Sequence, residues 1–485
     1  MSYNTRSFLW DLDAYKVGHM SQYPKDTEFI YSVMQLRSNK VYEKTPIIGL
    51  QYLLKEYLTQ KIEKQEVDTL IEELKIMGVY HEDIKEKLYS LLELGYLPLR
   101  IKAIPEGSIV ELPNAVCTIE NTVAGFHWTV GFFETLLLKW WSALTTASCS
   151  LKYREIIDKH FEKTSDNEAI KPFLVHDFGS RGCMSMEGAS FTGMAHALSF
   201  YGSDTIASIP LIRKFYNASE MIISSVPASE HSIMCSFGKE EELEAFRNML
   251  RLYPTGVVSI VSDTYNWYNV MDNFTLELKD EILNRDGKTV FRPDSGNLID
   301  IICGTIHEPI EDLENYSAKE LGGIRALDKV FGHTVNSKGY KVLNAKVGLI
   351  YGEGMFHERY EKTLEILEYL GYSAENLTIG VGGILRAGHR DTLGVAFKAT
   401  CVKRKDKDWT PIMKDPITDS GKKSYAGFVG VDKVNGRYVT KPLNEVKEDQ
   451  LITVFENGKL IEDYTWEEIK DRYSKERGLF GNKRL

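Results

Sequence analysis

The chain has 485 residues, of which 43% are hydrophobic and 26% charged, and its formal net charge is −10. That composition is globular and excludes the disordered and fibrous classes. An acidic balance also excludes a general nucleic-acid-binding surface, but a local cluster of Arg and Lys can still hold a small anion.

The six cysteines, Cys117, Cys149, Cys183, Cys235, Cys303 and Cys401, form no C-x-x-C pair, and the eleven histidines form no H-E-x-x-H motif. Free thiols in a reducing cytoplasm are therefore expected, without a zinc site or a disulfide framework. Residues 1–10 lack the pattern of a signal peptide. The most apolar stretch, Val130 to Leu144, is interrupted by Glu134 and Lys139. It reads as buried helix rather than a membrane span, so a cytoplasmic protein without membrane association is expected.

Residues 1–45 combine short polar segments with a strand-like piece at Phe29–Val33. Gly49 to about Gly95 reads as helices, with Leu50, Leu53, Leu54 and Leu58 at helical spacing. Alternation in Leu99–Ile104 predicts strands over 97–119, broken at Pro105-Glu106-Gly107, and a long aromatic helix is predicted over 128–160. From about residue 170 the pattern repeats in element type, though not in sequence. Apolar runs at 173–176, 221–225, 257–261, 289–291, 347–351 and 377–379 each end in a polar or Gly-rich loop. Strands alternating with helices predict a parallel α/β fold. A barrel is favoured over an open doubly wound sheet, because so many successive loops carry chemically useful side chains. After Val402 the chain turns polar and Lys-rich, and 440–485 reads as a strand pair and a helix. The expected division is an α/β barrel at 146–399, with a discontinuous α+β domain formed from 1–145 and 400–485.

The loop His176-Asp177-Phe178-Gly179-Ser180-Arg181-Gly182 offers an aromatic face, a guanidinium and two glycines. Such a loop can stack a flat ring beside an anion. Arg292-Pro293-Asp294-Ser295-Gly296-Asn297 presents a cation, a carboxylate and a hydroxyl on a stiff turn. Gly380-Val381-Gly382-Gly383 exposes successive backbone amides, and cations follow at Arg386, Arg390, Lys398, Lys414, Lys422 and Lys423, which together suit a polyphosphate. Ser225-Val226-Pro227-Ala228-Ser229-Glu230-His231, with Asp263 after the next strand, raises a Ser/His/Asp hydrolase, but no G-x-S-x-G elbow is present. His231 as a phosphoryl acceptor held by Asp263 is the other reading, beside a histidine that merely braces the rim.

Together these motifs resemble the nicotinate/nicotinamide phosphoribosyltransferase family of type II phosphoribosyltransferases. The resemblance rests on Asp13-x-Tyr15-Lys16-x-x-His19 with Gln22-Tyr23-Pro24, HDFGSRG at 176–182, Gly202-Ser203-Asp204-Thr205 and SVPASEH at 225–231. It continues through VSDTYNWYN at 261–269, RPDSGN at 292–297, GVGG at 380–383, RDTLGVAFK at 390–398 and Lys414-Asp415-Pro416. It spans residues 8 to about 425 in the family's order. It implies a homodimer with active sites shared across the interface. The implied reaction makes nicotinamide mononucleotide and pyrophosphate from nicotinamide and phosphoribosyl pyrophosphate in NAD salvage. Mg²⁺ and coupling to ATP through a phosphohistidine are implied as well.

Carried over by motif, Phe178 and a partner subunit's Tyr15 sandwich the nicotinamide, Asp204 accepts from its carboxamide NH₂, and Arg292 lies near the carboxamide oxygen. Arg181 faces the pyrophosphate and 5-phosphate region, and Arg37, Arg390 and Lys398 hold phosphate from the partner chain. Asp294 and Glu353 contact the ribose or organise metal and water. His231 is the phosphorylated residue, supported by Glu230 and Asp263. Asp13, Ser225, Gly382 and Gly383 join the substrate-binding set. The resemblance does not assign the residues that ligate the metal. Two positions depart from the family pattern: Glu353 replaces the Asp of a G-D-G turn, and Ala396 replaces a serine. A carboxylate at 204 argues against a nicotinate enzyme, the nearest alternative. Retention of both ring and phosphate residues argues against a catalytically silent metabolite-binding relative.

Overall fold

Continuous apolar runs with little polar interruption are what a parallel strand covered on both faces requires. In the computed structural model, which describes residues 4, 6–38, 40–418 and 422–481, five strands pair into one sheet, of which Val347–Tyr351 is buried throughout. They are β1 (Val175–Asp177), β2 (Thr255–Val261), β3 (Asp286–Arg292), β4 (Val347–Tyr351) and β5 (Leu377–Val381). The spatial order is β1-β5-β4-β3-β2, and all neighbours are parallel. Val261 pairs with Arg292 and Asp177 with Val381, so these strand ends finish level and their loops share a face. Val258, Ile260, Phe291, Leu349 and Ile379 are buried.

The two edge strands are linked to each other through single parallel bridges. Asp177 meets Ser203, Gly202 meets Ser224, and Ala228 meets Ser259 of β2. The bonds that carry this closure include Asp177 N to Gly202 O at 3.1 Å, Ser203 N to Ser224 O at 3.0 Å and Ser259 N to Pro227 O at 2.9 Å. The barrel is therefore irregular, with five true strands and two extended segments. The strand expected at 221–225 is one of those segments. Only Ser224 bridges there, and Met221 is half exposed, so the apolar run has no ladder on which to form. Helices Met186–Ala197, Ala318–Phe331 and His357–Tyr369 are among those that follow the strands. Gly322, at φ 75°, kinks the second of these, and a Cβ there would run into the backbone of Gly304.

This barrel unit comprises Cys149–Ile209 and Met221–Ala387. The other compact unit comprises Met1–Ser148, Pro210–Glu220 and Gly388–Leu485. The units exchange at 148/149 and 387/388 rather than at 145 and 399. Residues 210–220, expected in the barrel, pack instead with the second unit. The reason is local: Phe215 meets Tyr52 edge-on at 4.9 Å, Tyr216 meets Trp466, and Gln51 Nε2 donates to Phe215 O at 2.8 Å.

That second unit is built on a seven-stranded antiparallel sheet in the order Thr410–Pro411, Val395–Arg404, Thr27–Leu36, Asn114–Asn121, Leu99–Ala103, Ile452–Glu456, Lys459–Leu460. Leu99–Ala103 alternates buried and half-buried residues, as the sequence period of two demands. The aromatic helix expected over 128–160 is three helices, Trp128–Phe132, Glu134–Leu138 and Trp141–Thr164. The first break falls at Phe133 (φ −87°, ψ 2°), and Phe132 and Phe133 are both buried. Among the described residues no helix is long and apolar enough to cross a membrane.

Gln51, 3% exposed, donates to Phe215 O and Tyr464 O and accepts from Tyr464 N at 2.8 Å. Gln51→Leu strands those groups, and urea unfolding should show a loss of about 1–3 kcal/mol, the usual cost of a buried unsatisfied polar group.

Candidate active site

The site is built at the C-terminal ends of the barrel strands, where parallel α/β sheets carry their ligand loops. After β1 the chain turns through Phe178, whose N–H donates to Val381 O at 2.8 Å. Its ring lies against the backbone of Gly380, where a Cβ would collide with Cε2 and Cδ2, and near Gly352. The missing side chain of Gly380, next to the end of β5, leaves the space that the ring occupies.

Two cavities meet at this ring. One, of about 380 Å³, is lined by Phe178, Asp204, Ser225 and Arg292, with Lys288 and Glu375 also on its wall. The other, of about 550 Å³, is lined by Phe178, Arg181, Asp204, Arg292, Asp294 and Gly382, and also by Gly352. Phe178, Asp204 and Arg292 belong to both. Ser225 Oγ donates to Asp204 Oδ1, and Arg292 Nη2 donates to Ser229 O at 3.1 Å, which aims the guanidinium across the mouth of β2. The first cavity offers an aromatic face, a carboxylate and a guanidinium. The second offers the Arg181 and Arg292 guanidiniums, the Asp294 carboxylate and glycine backbone.

His231 begins a short helix, and its Nε2 lies 3.2 Å from Asp263 Oδ1. Asp263 is tied further, since its Oδ2 accepts from Ser295 Oγ at 2.6 Å and Asp294 N at 3.0 Å. The sequence singled out His231, Asp263 and Asp294 but gave Ser295 no part in holding them. Glu230 Oε1 accepts from Ser232 Oγ. Burial raises the Asp294 carboxyl above its usual range. Arg292 and His231 oppose that rise, while the like charges of Asp263 and Glu353 add to it. Gly383 faces open space, and Glu353 is exposed. Among the described residues no three His, Cys, Asp or Glu side chains gather to hold a metal ion.

Arg386, grouped by the sequence with an anion-binding run, is not free for an anion. Its Nη1 and Nη2 grip Asp177 Oδ1 and Oδ2 at 2.6 and 2.8 Å. Burial raises the Asp177 carboxyl, but the Arg386 charge and hydrogen bonds outweigh it and hold the group low. His196 beside this pair is pushed down to about 4, chiefly by burial, and stays neutral. The pair joins residues 209 positions apart, so no local motif announces it.

The remaining sequence-selected residues lie in the antiparallel unit. Arg37, Arg390, Lys398 and Lys414 share one electrostatic neighbourhood on the ladder where Val33 pairs with Lys398 and Leu36 with Val395. Burial lowers the Lys398 ammonium pKa. Glu134 raises it, and Arg37, Lys414 and Arg390 lower it further. Burial likewise lowers Arg37, which Tyr425 opposes and Arg390 reinforces. Arg390 Nη2 donates to Asp391 Oδ1 at 2.8 Å. Tyr15 is 63% exposed, edge-on to His19 at 5.0 Å, and Asp13 Oδ2 accepts from Thr135 Oγ1.

A parallel barrel-like sheet carrying its charged loops at the strand C-termini is the architecture of type II phosphoribosyltransferases. The crystal structure of nicotinate-nucleotide pyrophosphorylase from Pyrococcus furiosus matches the chain with a TM-score of 0.61 at 15% identity, covering 99% of this chain and 98% of that one, which establishes the fold alone. The model of the nicotinate phosphoribosyltransferase family matches residues 173–459, and that of the nicotinamide phosphoribosyltransferase N-terminal domain matches residues 7–101. The chain belongs to the nicotinate phosphoribosyltransferase family. It is 36% identical to a nicotinamide phosphoribosyltransferase of Acinetobacter baylyi, with 96% of each chain covered. Identity is also 36% to a nicotinamide phosphoribosyltransferase of Xanthomonas campestris pv. campestris, over 96% of this chain and 97% of that one.

Asp294 sits among like charges and loses hydration, so its ionised form is disfavoured in the fold. A carboxyl whose folded pKa is raised costs stability above that pKa, and the cost vanishes as acid protonates it. Asp294→Asn should therefore raise Tm at pH 7, with a gain that shrinks as pH falls to about 4; scanning calorimetry across that range checks it.

Proposed function

We propose that this protein is a nicotinamide phosphoribosyltransferase of NAD salvage, joining nicotinamide to phosphoribosyl pyrophosphate with release of pyrophosphate. One observation carries the reading: Phe178, Asp204, Ser225 and Arg292 ring one cavity that shares its wall with a second, which holds Arg181, Asp294 and Gly382. Names of relatives at 36% identity over nearly the whole chain agree with it.

In this reading the pyridine stacks on Phe178, with Tyr15 of the partner subunit on its other face. Asp204, held by Ser225, accepts from the carboxamide NH₂, and Arg292 donates to the carboxamide oxygen. Arg181 with the Gly382–Gly383 backbone meets the phosphates, joined by Arg37, Arg390 and Lys398 of the partner subunit. Exposed Met184, Met186 and Ile206 supply apolar surface for a homodimer, and Tyr15 is exposed as that role needs.

The ring nitrogen attacks the ribose C1 as pyrophosphate departs, and positive charge passes from the sugar to the pyridine. Aromatic faces stabilise the cationic ring more than the neutral one, which is transition-state binding. No general base is required, since the nucleophile has no proton to lose. Asp294 and Glu353 suit Mg²⁺, a hard cation that takes one or two carboxylates along with substrate phosphates, and a cation would favour the Asp294 carboxylate that burial and, less, Asp263 and Glu353 disfavour. When bound it supplies charge neutralisation at the leaving pyrophosphate. His231, held by Asp263, accepts the γ-phosphoryl group of ATP with release of ADP and later yields it to water, so that ATP stimulates turnover.

The decisive experiment incubates the purified protein with phosphoribosyl pyrophosphate, Mg²⁺ and either nicotinamide or nicotinate, with and without ATP. Nicotinamide mononucleotide should form and ATP should accelerate it; mononucleotide from neither base refutes the reading. Asp204 repels the carboxylate of nicotinate, so Asp204→Ser should narrow the ratio of the two kcat/KM values by tenfold or more, and an unchanged ratio removes Asp204 from specificity. In His231→Ala the ATP-independent rate should persist within about threefold while ATP stimulation disappears.

A further inference from the structure

The 177–183 loop carries both Phe178 and Arg181, yet it is only one short 3₁₀ turn, Ser180–Gly182, between a three-residue strand and a helix. Something must hold it. We infer that Arg386 is a positioning residue: its guanidinium grips the loop at both ends and fixes the base-stacking and anion-facing side chains relative to the Gly382–Gly383 backbone.

The grip has three parts. At the start of the loop, the two Nη groups hold Asp177, whose side chain is fully buried, while the Arg386 side chain is only 7% exposed. Asp177 Oδ1 also accepts from Gly179 N at 2.8 Å, so the carboxylate relays the hold to the residue after Phe178. At the end of the loop, Arg386 Nε donates to Cys183 Sγ at 3.4 Å. Between them the guanidinium lies against Gly179, where a Cβ would sit 2.6 Å from Nη1 and 2.8 Å from Gly382 O. Gly179 is required by that close approach, since its φ of −88° is ordinary.

Arg386 itself closes the 3₁₀ turn Gly383–Arg386 that follows Gly382. One side chain therefore ties the loop after β1 to the loop after β5. A planar fork with five donors can serve two carboxylate oxygens and a sulfur together; an ammonium on a flexible stem cannot. Nor can Arg386 leave for a substrate phosphate, because Asp177 would then be a buried charge with no counter-ion. His196, the neighbouring titratable group, is neutral and offers no substitute.

The kinetic arm of the test rests on the proposed function, and the exchange arm does not. Arg386→Lys keeps a charge for Asp177 but loses the fork. Asp177→Asn/Arg386→Gln removes both buried charges together and decides the matter if the first variant does not fold. In either, KM for nicotinamide should rise at least fivefold and KM for phosphoribosyl pyrophosphate at least twofold, with kcat falling by less. The backbone amides of 178–183 should exchange with deuterium at least tenfold faster than in the wild type. A folded variant with wild-type KM values and exchange, or with a lower Tm as its only change, overturns the inference. A wild-type protein inactive toward nicotinamide defeats the proposed function instead, and the exchange rates then decide the role of Arg386 alone.

Discussion

Parallel pairing in register is the constraint on which the barrel unit depends. Because Val261 pairs with Arg292, and Asp177 with Val381, neighbouring strands run out at the same height. Every turn that follows must then leave from one end, and residues far apart in sequence are collected there without specific attraction between them. Closure asks less. Three bridged pairs join the sheet's edges through segments that never become strands, and those segments deliver Asp204 and Ser225 to the same rim. The irregularity is part of the site's construction, because a regular strand over 221–225 would hold its residues in a ladder instead of releasing Ser225 toward Asp204.

Within that frame, absence of atoms does much of the positioning. The Phe178 ring fits because Gly380 brings no Cβ to the space it fills. Dispersion contacts with backbone on one side leave the opposite face of an aromatic ring open to a ligand. Asp263 is positioned in the opposite way, by saturation, with three partners on two oxygens. A rigid carboxylate and a ring with one free face are complementary uses of a barrel rim.

The barrel strands were legible because a strand buried on both faces must be a continuous apolar run, as Val347–Tyr351 is. The same rule misreads Met221–Ser225, where the run is apolar but finds no neighbouring ladder, since pairing is a tertiary fact that composition does not contain. The aromatic stretch beginning at Trp128 misleads for a related reason: its apolar composition runs on past Phe133, where the backbone leaves the helix. Phe178, Arg292 and Asp294 could be chosen because each stands in a motif with its own turn chemistry, whereas Asp204 came only with the resemblance to a family. Their roles came from resemblance to a family, not from spacing. Arg386 looked like one more cation in a run, and only the fold reveals that Asp177 claims it. Segment 210–220 likewise follows its side chains, Phe215 and Tyr216, rather than its place in the sequence.

The contact between His231 and Asp263 settles one further matter. A carboxylate oxygen accepts hydrogen bonds and has none to give, so the imidazole nitrogen 3.2 Å from Asp263 Oδ1, Nε2, is the one that bears hydrogen. In the neutral ring the lone pair then lies on Nδ1, the ring nitrogen nearer the backbone, and an electrophile that meets it there forms the π isomer rather than the τ.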